Sequence, residues 1–180
     1  VEASQGGDAP LAIRKVPRFA SLADRFELSG TGFCNVADAN RVIIAGHAAL
    51  VLAASSLALT IVPPEESRPG PAEATLSCGS RGVASFPLTF VSLELQASAA
   101  PLTPGERRDL LVRITGSRER LLLEAHNLSP EIAELAGGNP VRMTSTGGPE
   151  NSARFQVLGR AHGSFLISIR LVPVYTSPRT

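Results

Sequence analysis

Residues 42–62 have the sequence VIIAGHAALVLAASSLALTIV, with no Asp, Glu, Lys or Arg over about the length of a membrane-spanning helix. Gly46-His47 and Ser55-Ser56 divide this stretch into short pieces, and its first and last pieces, VII and TIV, are β-branched as strands prefer. Pro63-Pro64 ends it, and no cluster of Lys or Arg flanks it as is typical of a membrane span. We therefore predict buried strands here, with a transmembrane helix as the alternative.

The surrounding residues continue this pattern of short apolar runs. Turn residues such as Gly30-Thr-Gly32 and Pro69-Gly70-Pro71 separate the runs. Turn signals at intervals of about 8–12 residues, without a long amphipathic stretch, are typical of a β-sandwich. Strands are predicted over residues 12–16, 25–28, 41–45, 48–53, 57–62, 72–78 and 85–95.

The order of several motifs in this half resembles an IPT/TIG domain. The motifs are FELSGTGF over 26–33, NRVIIAG over 40–46, the run from 49 to 55, LALTIVP over 57–63 and PGP over 69–71. The resemblance covers about residues 11–90 and implies an immunoglobulin-like sandwich. It also implies a role in cell-surface proteins, as a spacer, or as an accessory part of a secreted polysaccharide enzyme.

The second half follows a stretch rich in Pro and small residues, 97–105, which is typical of a domain boundary. Its clearest strand is 165–171, where alternate apolar residues share one face. We predict a hairpin turn at 160–163 and a short helix over 130–136 with Ser129 as its N-cap. The predicted fold is all-β, with two immunoglobulin-like β-sandwich domains in tandem: a flexible leader over 1–10, an IPT/TIG-like sandwich over 11–95 and a second sandwich over 96–180.

Cys34 and Cys78 are the two cysteines, and neither belongs to a CxxC motif. Three predicted strands separate the strand before Cys34 from the strand that ends at Cys78. If the chain reverses at every connection, those two strands run in the same direction and both cysteines lie at the same end. We therefore predict a disulfide and an oxidising, extracytoplasmic compartment, with two buried reduced thiols in a cytosolic protein as the alternative.

Composition and motifs argue against several functions. The net charge of +1 disfavours strong attraction to nucleic acid or to an anionic membrane. The sequence contains no Gly-rich phosphate loop, HExxH or GxSxG motif. His47, His126 and His162 are far apart and lie near predicted turns or strand ends, which favours surface positions. We predict no enzyme activity, no catalytic residue and no cofactor.

Three weaker site candidates have simpler explanations. Asp38 and Asn40 offer oxygen ligands for calcium, but a single carboxylate is too few for an ion that takes six to eight oxygens, so we interpret both as turn-forming residues and predict no metal site. Asn127-Leu-Ser129 is a glycosylation sequon, which has a meaning only if the host glycosylates its proteins. The arginines over 107–120 alternate with acidic residues, which indicates a solvated face of mixed charge.

Three functions remain. The first is a non-catalytic structural or adhesive module of a secreted or cell-surface bacterial protein. The second is an accessory carbohydrate- or protein-binding module of a larger secreted enzyme, although the absence of Trp and the single Tyr175 supply few sugar-stacking rings. The third, a DNA-binding or dimerisation module, is disfavoured by the charge. The expected partner is a protein or polysaccharide at the cell surface, without nucleic acid and without a membrane span.

Overall fold

The computed structural model describes residues 10–178, and its regular structure is β-strand apart from a 3₁₀ helix at Ala37–Ala39. The predicted all-β class is therefore confirmed. No helix in this part of the chain is long and apolar enough to cross a membrane, and residues 42–62 contribute to three strands instead. The strands are β1 Ala12–Pro17, β2 Phe19–Ser21, β3 Phe26–Thr31, β4 Asn40–Ile44, β5 His47–Ala54, β6 Ala58–Val62, β7 Gly70–Cys78, β8 Val83–Gln96, β9 Arg107–Thr115, β10 Leu122–Asn127, β11 Ala133–Leu135, β12 Val141–Thr144, β13 Ser152–Gly159, β14 Ile167–Leu171 and β15 Tyr175–Thr176.

The described residues form two compact units, 10–91 with 173–178, and Ser92–Val172. The predicted boundary lay at residue 95, and the prediction placed the final residues in the second domain. The structure groups those final residues with the first unit because β15 pairs with β1, with Val16 opposite Thr176. Residues 1–9 of the predicted leader lie outside the described residues.

In the first unit, strand β5 is shared between two sets of antiparallel strands. Residues 47–49 pair with β4, which continues to β7 and β8, while residues 50–54 pair with β6, which continues to β3 and β1. The register shifts between Val51 and Ala53, so Leu52 is the extra residue of a β-bulge. Short β2 lies parallel to β8. Strands of both sets contribute to one core, whose most buried members include Leu28, Phe33, Ile61, Leu76 and Phe86.

The SGTGF motif closes one end of this core. Phe33 is buried, and a Cβ at Gly30 would overlap both the Phe33 ring and the Ala12 carbonyl oxygen. Glycine is therefore required where β3 passes this close to β1. Arg81 Nη1 donates hydrogen bonds to the carbonyl oxygens of Gly32 (2.8 Å) and Phe33 (3.2 Å), which fixes the loop after β3.

Cys34 and Cys78 form a disulfide, with their Cα atoms 6.0 Å apart. The path β3–β6–β5–β4–β7 consists of four antiparallel pairings, so β3 and β7 run in the same direction. This is the strand direction inferred from the sequence, and it places both cysteines at the same end of the unit.

The second unit contains two antiparallel sets of strands, β11–β13–β9–β8, in which β8 contributes residues 92–96, and β12–β10–β14. The predicted helix over 130–136 is wrong, because Ala133 and Leu135 are buried as alternate residues of β11. The predicted hairpin turn at 160–163 is also wrong. Strands β13 and β14 belong to different sets, and Gly163 instead forms an antiparallel bridge with Leu102.

The disulfide should stabilise the first unit. Its cysteines are 44 positions apart, and by the chain-entropy model a loop of this size contributes about 4 kcal/mol to the free energy of unfolding. We expect the double variant Cys34→Ser, Cys78→Ser to lose about this amount in guanidinium denaturation. Reductant should lower the midpoint of the wild-type protein and leave that of the variant unchanged. Identical curves for both proteins without reductant would contradict the prediction.

Candidate functional site

Strand β5 exposes apolar side chains to solvent. Val51 points into the core and is 7% exposed, whereas Leu50 and Leu52 are 58% and 47% exposed. Ala48 and Ala53 are exposed as well. Alternate residues of a strand point to opposite faces, and the β-bulge adds Leu52 to the residues that point outward. The inward and the outward face of β5 therefore both carry apolar side chains.

The neighbouring strands extend this apolar surface. Ile43 of β4 lies opposite Ala48, and Val62 of β6 lies opposite Leu50. Residues directly opposite one another on paired strands point to the same face, so these side chains adjoin. We define the β4–β5–β6 face as Ile43, Ala48, Leu50, Leu52, Ala53, Ala58, Thr60 and Val62.

Polar side chains surround this face. On β7, Thr75 lies opposite Ile43, and Glu73 is exposed two residues before it. On β3, Glu27 lies opposite Thr60. Arg41 is exposed at the start of β4. An apolar centre with a polar border of both charge signs is the composition found in protein–protein interfaces.

The second unit provides an internal comparison. The outward side of β10 and β14 carries Glu124, His126, Ser168 and Arg170, and β9 presents Asp109, whose carboxylate lies 3.4 Å from Arg154 Nη1. These are ordinary solvated faces of mixed charge. Large contiguous apolar surfaces are uncommon on soluble proteins and mark interaction sites, so the β4–β5–β6 face is the strongest candidate functional site of the chain.

Sequence reasoning found the strands of this face and missed its exposure. We predicted buried strands over residues 42–62, but Leu50 and Leu52 face solvent. The sequence signal for an apolar outward side was the lack of polar residues at alternate positions of β5. Strand β14, by contrast, has Ser168 and Arg170 at its outward positions.

The aromatic side chains do not form an exposed platform. All seven Phe and the single Tyr lie among the described residues, and six of the Phe are buried. Phe165 is half-buried, and Tyr175 of β15 is 41% exposed. Burial of the rings removes the flat apolar surfaces on which sugars stack.

The three histidines occupy separate positions. His47 is exposed, with its Nδ1 3.8 Å from Glu66 Oε1, and His162 is exposed after β13. His126 Nε2 lies 2.8 Å from Glu124 Oε1 on the same strand. Across residues 10–178, no group of three or more His, Cys, Asp or Glu side chains could hold a metal ion.

Asn40 and Asn127, the two asparagines of the weaker candidates, are buried and hydrogen-bonded to the backbone. Asn40 Oδ1 accepts from the Cys34 N–H (3.0 Å), and its Nδ2 donates to the carbonyl oxygens of Cys34 (2.9 Å) and Val36 (3.0 Å). Asn127 Nδ2 donates to the Ala133 carbonyl oxygen at 2.8 Å, so the amide nitrogen of the sequon faces the interior. Asp38 is exposed in the 3₁₀ helix.

The Glu124 carboxylate lies between two hydrogen-bonding side chains, His126 and Arg142. Hydrogen bonds from His126 and then from Arg142, whose Nε lies 3.0 Å from Oε2, hold the pKa of Glu124 below its usual value. The pair of side chains flanking Glu124 therefore stabilises its ionised form on the outward side of β10.

No protein-family model matches the sequence, and no curated protein matches it significantly. Among solved structures, the Bacteroides ovatus mixed-linkage glucan utilization locus protein SGBP-B, in complex with a mixed-linkage heptasaccharide, shares 13% identity and a TM-score of 0.45 over 86% of this chain and 51% of that one. An auxiliary nutrient binding protein from Bacteroides thetaiotaomicron shares 15% identity and a TM-score of 0.39 over 63% of this chain and 35% of that one. The Yersinia pseudotuberculosis adhesin InvE shares 10% identity and a TM-score of 0.33 over 93% of this chain and 58% of that one. The chain thus spans between about a third and three fifths of the length of these structures.

Two leucine variants test the orientation of the face. Leu59→Ala removes a buried side chain of β6 and should lower the free energy of unfolding by about 2–5 kcal/mol. Leu50→Ala makes the same chemical change on the outward side of β5, where we expect a change within about 0.5 kcal/mol. Chemical denaturation measures both. A large loss for Leu50→Ala would show that this side chain is covered within the isolated chain.

The position of Glu124 predicts a dependence of stability on pH. Because the folded-state pKa of Glu124 is lowered, its contribution is fully present above the unfolded-state pKa and is lost as the pH falls through the folded-state pKa. Denaturation midpoints between about pH 7 and about pH 3 should therefore fall less steeply for Glu124→Gln than for the wild type. Glu131→Gln, at an exposed position, should retain the wild-type slope. Equal slopes for all three proteins would refute the assignment.

Proposed function

We propose that this chain is a non-catalytic binding module of an extracytoplasmic protein, and that it holds a protein partner against the β4–β5–β6 face. In this proposal the two units are immunoglobulin-like sandwiches in tandem, and the first is the unit that resembles an IPT/TIG domain. The observation that carries the proposal is the exposure of Leu50 (58%) and Leu52 (47%) on β5, beside the outward apolar side chains of β4 and β6.

Covering this face is energetically useful. Leu50 and Leu52 leave about half of their surface in water, and burying a whole leucine side chain contributes about 1.5–3 kcal/mol. Covering what remains of both leucines contributes on the order of 2 kcal/mol, which is more than a tenfold increase in affinity. The smaller side chains around them, Ala48 and Ala53, let a partner surface approach closely.

The chemistry of the face favours a polypeptide over the alternative partners. Thr60 supplies the one hydrogen-bonding side chain of the eight, whereas a polysaccharide needs several polar contacts or an aromatic platform. Nucleic acid needs a basic surface, but the border carries Glu27 and Glu73 as well as Arg41. An aliphatic protein surface with charges of both signs at its border fits these properties.

The proposed compartment follows from the disulfide. Disulfides such as Cys34–Cys78 form and persist in secreted and cell-surface proteins and are rare in the cytosol. The same setting provides the partner of a structural or adhesive module, which is a protein displayed at the cell surface.

The proposal is tested by binding of the labelled protein to intact cells of the producing organism. We expect saturable binding that Leu50→Glu weakens at least about tenfold, because a charge would be buried in the centre of the contact. Leu128→Glu is the matched control, since Leu128 of the second unit is 57% exposed and Leu50 is 58% exposed. A thermal melt of each variant verifies that it is folded.

Treatment of the cells distinguishes the class of partner. Protease should abolish the part of the binding that Leu50→Glu weakens, and periodate oxidation of surface sugars should leave that part unchanged. The proposal is overturned if there is no saturable binding, if Leu50→Glu binds like the wild type, or if periodate rather than protease removes the part of the binding that depends on Leu50.

A further inference from the structure

A polar cleft of about 480 Å³ lies at one end of the second unit. It is formed between the turn that follows β9 and the loop that precedes β13. The side chains that line it with functional groups are Arg113, Thr115, Ser117, Arg118, Glu150 and Asn151. Its volume lies within the range of about 300–1,000 Å³ that is typical of small-molecule sites.

Asn151 holds the two walls of this cleft together. It is 1% exposed, and its Nδ2 donates to the carbonyl oxygens of Ser117 (3.0 Å) and Glu119 (2.7 Å). Its Oδ1 accepts from the Gly147 N–H at 2.8 Å, and the Gly148 N–H donates to the Arg118 carbonyl oxygen at 2.7 Å. The loops are therefore fixed before any ligand binds, which lowers the entropy cost of binding.

The charges of the cleft favour an anion. Arg113 and Arg118 are exposed, and within residues 10–178 neither guanidinium group has a hydrogen bond or an ion pair. The described lining contains two arginines and one carboxylate, Glu150, while Glu94 lies opposite Arg113 on β8 outside the lining. Guanidinium groups with free donors bind carboxylate and other oxyanions in a bidentate manner.

Other arginines of the same unit do have carboxylate partners. Arg108 pairs with Glu106, and Arg160 pairs with Glu134. Arg107, Arg120 and Arg170 also lack a carboxylate partner among residues 10–178, so Arg113 and Arg118 differ from them in that both line the cleft.

Hydroxyl groups add a second kind of contact. Ser117 Oγ accepts a hydrogen bond from the Glu119 N–H at 3.0 Å, which leaves its own O–H free to donate. Thr115 provides another hydroxyl group on the cleft wall. A lining of hydroxyl and guanidinium groups suits a ligand that carries many hydroxyl groups as well as a negative charge.

We propose that this cleft binds an acidic saccharide, with Arg113 and Arg118 holding the carboxylate of a uronic acid residue and the hydroxyl groups contacting the ring. This site is separate from the β4–β5–β6 face, and the inference does not depend on the proposed function. A free inorganic oxyanion offers the arginines the same kind of negatively charged oxygen atoms as the carboxylate of a uronic acid. The hydroxyl groups of the sugar distinguish the proposed ligand from such an ion.

Isothermal titration of the full chain with a trigalacturonate oligosaccharide tests the proposal. We expect saturable binding, weakened at least about tenfold by either Arg113→Gln or Arg118→Gln and weakened by added salt. Arg107→Gln is the matched control, because it removes the same charge from the same side of β9, about 20 Å from Arg113. This control should bind like the wild type.

Two further ligands complete the experiment. A neutral galactose trisaccharide should bind at least about tenfold more weakly than the acidic one, and sodium sulfate at equal concentration should not displace the acidic oligosaccharide. The proposal is overturned if the acidic oligosaccharide does not bind, if the neutral one binds as well, if sulfate displaces it, or if Arg107→Gln weakens binding as much as the cleft variants do.

Discussion

The first unit depends on one strand that serves two sets of partners. The first residues of β5 pair with β4 and its last residues pair with β6, and the bulge at Leu52 lies in the part that pairs with β6. Because both sets of strands meet at β5, their inward side chains share one core. Residues 47–49 have their backbone partners in β4 and residues 50–54 have theirs in β6, and the outward side of β5 carries the exposed apolar side chains of Leu50 and Leu52.

The all-β class could be predicted from the local pattern of apolar runs and turn residues, and the cysteine pairing from the number of chain reversals. Apolar runs between turn residues identified β4, β5 and β6 to within two residues at each end. An even number of reversals gave β3 and β7 the same direction, which is what the Cys34–Cys78 bridge requires. The path of the chain at 160–163 was mispredicted because a turn motif does not determine whether the next strand pairs with the previous one or joins another set. That choice depends on contacts distant in sequence, such as the bridge between Leu102 and Gly163.

The candidate sites were harder to predict, because exposure and polar contacts are tertiary properties. A strand whose two sides are both apolar has the same composition whether the rest of the protein covers one side or both. Residue type therefore could not show that Val51 is buried and Leu50 exposed. The roles of Asn40, Asn127 and Asn151 were hidden for a related reason. A primary amide can donate and accept at once, which allows a single buried side chain to connect two backbone segments. In sequence, the same residue type also suggests a calcium ligand or a glycosylation site.

The disulfide also limits how far the chain can be stretched. When a surface protein is pulled, a domain that unfolds lengthens by the contour of its released residues, at most about 3.3–3.6 Å for each one. The Cys34–Cys78 bond carries the tension directly across a sequence separation of 44 positions, so the intervening residues stay slack. The first unit therefore yields roughly 150 Å less length on forced unfolding than a reduced chain would. Forced unfolding of this unit therefore proceeds in a correspondingly shorter step.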